Sequence, residues 1–147
     1  MVKHFIGILE DDRDGRIPRF EATATALAAH GFQLVVRENV PDFVKWIDSS
    51  WSGIALLSLD HDLGLPVDRD GGRFDPGEGT DAVRFLASRD PSFPVIVHSS
   101  NPVGAERMML GLADGGWTAY RLPPFGEDWI GTAWVRRVLA LTGILQV

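Results

Sequence analysis

The sequence has no cysteine, only one tyrosine and three methionines among 147 residues. Without cysteine, neither disulfides nor thiolate-ligated metals can form. No apolar run approaches the roughly 18 residues of a membrane span. Basic residues are in the minority, 14 against 20 acidic, for a formal charge of −6. That deficit argues against broad nucleic-acid binding through a basic surface, though not against recognition of one phosphate at a nucleic-acid end. No leader pattern precedes the first apolar run, so a cytoplasmic location is the simplest expectation. Hydrophobic residues make up 45% of the chain, enough for a globular interior. The length suits one domain over residues 1–147.

Short apolar runs alternate with longer periodic ones. The pattern predicts strands near 4–9, 33–37, 54–59, 94–98 and 118–122, and helices near 17–30, 41–50, 80–89, 102–114 and 128–143. In the first helix Ile17, Phe20, Ala24, Leu27 and Ala28 fall on one face, and Gly31 is a plausible stop. In the last, Ile130, Trp134, Val138 and Leu141 form a similar stripe. Strict βα alternation predicts a three-layer α/β fold with a parallel sheet in the flavodoxin-like order 2-1-3-4-5. Residues 64–79, GLPVDRDGGRFDPGEG, are too long for an ordinary βα loop and suit a lid over the strand ends. Asp68-Arg69-Asp70-Gly71 opens like a calcium loop, but its twelfth position is Gly79, where a bidentate Glu is needed.

Three of these runs end in polar clusters, at the edge where open α/β sheets place their chemistry. Ile6-Gly7-Ile8-Leu9 leads into Glu10-Asp11-Asp12, Ile54–Leu59 into Asp60-His61-Asp62, and Val95-Ile96-Val97 into His98-Ser99-Ser100-Asn101. Glu10, Asp11, Asp12 and Asp60 offer hard oxygen ligands suited to Mg²⁺ or Mn²⁺. His61 and His98 carry the side chain that titrates nearest neutrality and could share acid and base roles. If the pleat persists, His61 points opposite Asp60 and Asp62, and His98 opposite Ser99. Asn101 followed by Pro102 reads as a helix start, where free N–H groups can also receive an anion. Ser99, Ser100, Asn101 and Arg107 are therefore candidate phosphate contacts. Arg13, Arg37 and Arg121 lie near other strand ends and are more often surface charges.

This layout resembles a response-regulator receiver domain. Acidic residues follow strand 1, Asp60 stands at the end of strand 3, Gly79-Thr80-Asp81 opens a helix, and Pro94-Val95-Ile96 leads to a hydroxyl at Ser99. Asp62-Leu63-Gly64-Leu65-Pro66 offers a second register for the phospho-acceptor aspartate. The receiver lysine after strand 5 is replaced by Pro123, which cannot supply a cation. Leu59-Asp60-His61-Asp62-Leu63-Gly64 and His98-Ser99-Ser100-Asn101-Pro102-Val103-Gly104-Ala105 are similar to motifs of the cyclic-phosphate-processing receiver domains.

That resemblance implies a metal-dependent phosphoesterase acting on cyclic phosphate, at 2′,3′-cyclic ends of RNA or on nucleotides. Asp60, Asp62, His61 and His98 would carry catalysis. The alternative is a non-enzymatic signalling or interaction module, phosphorylated on Asp60 or using the fold for protein contacts. A third reading is a phosphate sensor without turnover.

Overall fold

A computed structural model describes residues 2–64, 67–69 and 72–145. Strand β1 (Phe5–Leu9) is followed by two short helices, α1 (Arg16–Ala22) and α2 (Ala24–Ala28), then β2 (Gln33–Arg37) and α3 (Val40–Ser50). A 3-10 turn leads into β3 (Ile54–Leu59). Next come β4 (Val67–Arg69) and β5 (Gly72–Phe74), α4 (Gly79–Ala87), β6 (Val95–Val97), α5 (Pro102–Asp114) and β7 (Ala119–Arg121). The chain closes with a π turn (Ile130–Trp134) running into α6 (Val135–Leu141). The main sheet is parallel, in the order β2-β1-β3-β6-β7. This is the predicted 2-1-3-4-5 order once the β4–β5 pair is set aside.

Strand β3 lies inside the sheet and is buried on both faces, hence the unbroken run IALLSL. Side chains alternate between two apolar clusters. Ile6 and Ile8 of β1, Leu56 of β3 and Ile96 of β6 join Phe20, Leu27, Trp134 and Val138 on the face covered by α1, α2 and α6. Leu9, Leu57, Leu59, Val95 and Val97 join Phe43, Ile47, Leu86 and Met108 on the face covered by α3, α4 and α5.

Local chemistry explains the regular helices of the second face. Asn39 caps α3 by accepting the Asp42 N–H at 2.8 Å. Glu78 and Asp81 form a capping box on α4. Asn101 caps α5 by accepting the Gly104 N–H at 3.0 Å, with Pro102 in the first turn.

The first face departs from the sequence pattern twice. The helix expected over 17–30 is broken at Thr23, whose hydroxyl donates to the Phe20 carbonyl at 2.6 Å. Such back-bonding competes with the helical ladder. The expected final helix begins as a π turn. Gly31 ends α2's exit turn with φ of +86°, as its glycine predicts. The segment 64–79, expected to be one long loop, contains the antiparallel pair β4–β5. Leu65, Pro66, Asp70 and Gly71 of the expected lid and calcium-loop pattern lie outside the described residues.

Gly79 begins α4 hard against the end of β3. A Cβ there would stand 2.7 Å from Met108 Cε and closer still to the Asp60 carbonyl oxygen. Gly79→Ala is expected to cost about 1–3 kcal/mol by overpacking. Gly131→Ala, whose Cβ meets nothing within 4 Å, should cost nothing. Urea unfolding of the two variants checks the contrast; equal stabilities would refute it.

Candidate functional site

Strand alternation decides which polar groups meet. Glu10 continues the face of Ile6 and Ile8, Asp60 that of Ser58, and His98 that of Ile96, so all three emerge on the α1 and α6 side of the sheet. They are buried, with relative exposures of 1%, 5% and 0%. One ligand atom from each lies within 4.8 Å of the others. Pairing of β1 with β3, and of β3 with β6, makes them neighbours.

Glu10 is heavily hydrogen-bonded. Its Oε2 accepts the N–H groups of Asp11 at 3.2 Å and Asp12 at 3.3 Å, and its Oε1 lies 3.1 Å from His98 Nε2. Burial alone would raise its pKa, but the His98 hydrogen bond, the Arg16 charge and the Asp12 N–H outweigh that and hold it below the ordinary value. Asp60 has fewer compensations. Its Oδ1 accepts the His61 N–H at 2.8 Å. Burial, reinforced by the Glu10 charge, raises its carboxyl to about 6.

The cation that faces these carboxylates is one the sequence reading passed over. Arg16 Nη1 stands 3.5 Å from both Glu10 Oε1 and Asp60 Oδ2, and its guanidinium lies over the Trp129 ring, 5.7 Å from the centroid. The only advance sign was its place in the first turn of the helix after Glu10-Asp11-Asp12. Of the arginines that were singled out, Arg13 pairs with Glu38, Arg37 donates to the Val36 carbonyl at 3.0 Å, and Arg121 is exposed.

The other candidates are distributed around this centre. Asp11 is half-buried, and desolvation with the Glu10 charge raises its pKa. Asp12 is turned away to α1, where its carboxylate accepts the Gly15 and Arg16 N–H groups, each at 3.1 Å. Asp62 is exposed; hydrogen bonds from His61 and Asn101 hold its pKa below the ordinary value. Asp60, not Asp62, therefore stands beside Glu10.

His61 leaves on the face opposite Asp60, as the pleat argument expects, but it meets Asp62 instead of pointing away from it, because the strand has ended at Leu59. Its Nδ1 lies 2.7 Å from Asp62 Oδ1, and its ring packs against Gly104 of α5, where a Cβ would stand 2.6 Å from Nδ1. The glycine thus admits an imidazole rather than an anion. Among the described residues, buried His61 Nε2 has no hydrogen-bond partner; Glu78 Oε2 lies 3.7 Å from it. A carboxylate only accepts, so the Asp62 contact places a ring proton on Nδ1.

Ser99 is buried and its Oγ accepts the Asn101 N–H at 3.0 Å. Asn101 caps α5 and donates to Asp62 Oδ1 at 3.2 Å. Ser100 is exposed at the entry to α5. Arg107 is exposed on α5 and makes no ion pair among the described residues.

The raised Asp60 pKa carries a stability consequence in metal-free protein. Between its ordinary value of 3.8 and about 6, the folded state holds a proton that the unfolded chain has released. Stability therefore falls as pH rises through that window, by up to about 3 kcal/mol at 1.36 kcal/mol per unit. With EDTA present, Asp60→Asn should be more stable than wild type at pH 7.5, and the advantage should vanish near pH 4. Denaturant melts at both pH values test this; an advantage present only at pH 4 would reverse the sign.

No curated protein matches the chain in sequence. Among solved structures, the phosphorylated cyanobacterial phytochrome response regulator RcpA aligns with a TM-score of 0.71 at 14% identity, covering 98% of this chain and 97% of that one. The non-phosphorylated HemR receiver domain of Leptospira biflexa aligns with a TM-score of 0.58 at 17% identity, covering 95% and 96%. These likenesses show a receiver fold. No helix among the described residues is long and apolar enough to cross a membrane. The model of the cyclic-phosphate processing receiver domain matches residues 7–114, the segment that supplies Glu10, Asp60, His61 and His98. The chain belongs to the cyclic-phosphate processing receiver domain family.

Proposed function

We propose that this protein is a divalent-cation-dependent phosphoesterase that opens a cyclic phosphodiester of the 2′,3′ kind found at RNA ends. The observation that carries the reading is the buried meeting of Glu10, Asp60 and His98 at adjacent strand ends, with ligand atoms within 4.8 Å. The donor set suits a small hard cation. Two buried carboxylates share one guanidinium at 3.5 Å from each, longer than the 2.7–2.9 Å of a good charge-assisted bond. Burial, with the Glu10 charge beside it, raises the Asp60 pKa, so a cation bound there would favour its ionised form. Glu10 and Asp60, with Asp11 at the rim, would hold Mg²⁺ or Mn²⁺. Bound there, the ion supplies Lewis acidity toward a phosphoryl oxygen.

The side chains then divide the remaining work. Arg16, relieved of its carboxylates, donates to a phosphoryl oxygen. Ser100 and Arg107 add contacts at the α5 entry, with Ser99 and Asn101 shaping that turn. Hydrolysis adds a water oxygen to phosphorus and breaks one phosphorus–ribose oxygen bond, and the released ribose oxygen takes the proton that water gives up. His61 suits the carriage of that proton, because Asp62 pins Nδ1 and Nε2 has no hydrogen-bond partner among the described residues. His98 has both ring nitrogens engaged and supports Glu10 instead. Asp60 and His61 leave opposite faces, so the phosphodiester lies across the carboxyl edge of the sheet.

An assay on an oligoribonucleotide ending in 2′,3′-cyclic phosphate, with Mg²⁺, Mn²⁺ or EDTA, tests the reading. Ring opening should require the metal, and Asp60→Asn and His61→Gln should each lower it about 100-fold or more. Turnover that survives EDTA and both substitutions refutes the assignment. No turnover, together with acetyl-phosphate labelling of Asp60, would select a phosphorelay module instead.

A further inference from the structure

The family match ends at residue 114, yet the hydrogen-bond network around Glu10 continues into the last helix. That helix opens with a π turn, in which the Trp134 backbone N–H bonds the Trp129 carbonyl five residues back at 2.8 Å. On a regular α-helix, residues five apart are about 140° apart around the axis. The wider turn lets both indoles face Phe20, edge-on, with centroids at 5.8 Å for Trp129 and 4.9 Å for Trp134. Trp129 meets Arg16 and His98. Trp134, fully buried, donates its indole N–H to Ser58 Oγ at 3.0 Å.

From there one line of contacts leads to the carboxylates. Ser58 Oγ lies 2.7 Å from His98 Nδ1, and His98 Nε2 lies 3.1 Å from Glu10 Oε1. An indole N–H can only donate and a carboxylate can only accept. The two ends of the line are therefore fixed: Trp134 donates to Ser58, and Nε2–H donates to Glu10; a ring carrying that one proton takes the Ser58 hydroxyl proton at Nδ1. Ser58 and His98 are fully buried, so bulk solvent cannot replace a lost link, and losing one leaves an unsatisfied group.

We propose that Trp134 is a positioning residue of the cation site, acting through Ser58 and His98 to hold Glu10 Oε1 toward Asp60. The proposal rests on the cation reading above. In this assignment the hydroxyl accepts from the indole and gives its one proton to Nδ1. The imidazole is then held in one tautomer and one ring plane, and Glu10 is aimed by a ring that cannot turn. Outer partners of this kind commonly change metal affinity by 10-fold or more.

Two variants test it, Trp134→Phe and Ser58→Ala, the second leaving the aromatic packing in place. Nitrogen-15 NMR of the His98 ring and Mn²⁺ titration followed by electron paramagnetic resonance are the readouts. Wild type should show a slowly exchanging Nε2–H and an unprotonated Nδ1. Both variants should shift the Nδ1 signal and speed exchange at Nε2, and each should weaken Mn²⁺ binding about tenfold. The double variant should be no weaker than either single one, because a relay cut twice is cut once. A wild-type ring protonated at Nδ1, unmoved His98 signals in Ser58→Ala, or additive losses of affinity would overturn the proposal. Wild type that binds no Mn²⁺ would overturn the cation reading and, with it, the assigned role, while the ring signals would still report whether the relay exists.

Discussion

Two carboxylates buried side by side are the constraint around which this structure is arranged. Glu10 and Asp60 sit at the ends of paired strands, 1% and 5% exposed. Neither can be moved to solvent without breaking the alternation that packs Ile6, Ile8 and Leu56 below them. Each charge must therefore be met in place, and the surroundings are shaped by that need. Backbone N–H groups of Asp11 and Asp12 turn back onto Glu10, and the His61 N–H turns onto Asp60. His98 occupies a position that would otherwise suit another apolar side chain of the same strand.

The positive charge comes from an unexpected direction. A receiver carries it after the last strand, where this chain has Pro123. Here Arg16 supplies it from the first turn of α1, reaching both carboxylates at 3.5 Å. A guanidinium lying over Trp129 gives up little hydration and keeps a fixed plane. It is also only 23% exposed and stands 3.5 Å from each carboxylate, longer than a good charge-assisted bond. An Arg16 held in this way is the counter-charge shared by the two carboxylates.

The sheet order, the strand positions and the polar strand ends were legible in the sequence because they follow from a period of two and from caps with local causes. Asn39, Asn101 and Gly31 act where the chain places them. Glu10, Asp60 and His98 could be named as site residues, but not sorted. Whether His98 meets substrate or Glu10 depends on Ser58 and Trp134, 40 and 36 residues away on other elements. Arg16 was missed for the same reason: an arginine in a first helical turn looks like a surface charge until the partner strand is in place. Asp12 was overcounted as a ligand because an acidic residue before a helix serves equally well as a cap, which is what it does.

The two faces of the sheet divide the labour. On the α3, α4 and α5 side the cluster is almost wholly apolar, and the helices are regular, capped and set by their own stripes. On the other side the apolar cluster must accommodate Ser58, His98, Glu10 and Asp60, and there both covering helices are irregular: α1 and α2 part at Thr23, and the last helix opens into a π turn. A regular final helix would turn either Trp129 or Trp134 away, leaving Arg16 without its aromatic floor or Ser58 without its donor. Helical regularity is thus given up where buried polar groups need partners at fixed places, and retained where packing alone decides. The irregular face is the one that carries the carboxylates, which ties the distortion of the helices to the chemistry of the strand ends rather than to weak helix-forming sequence.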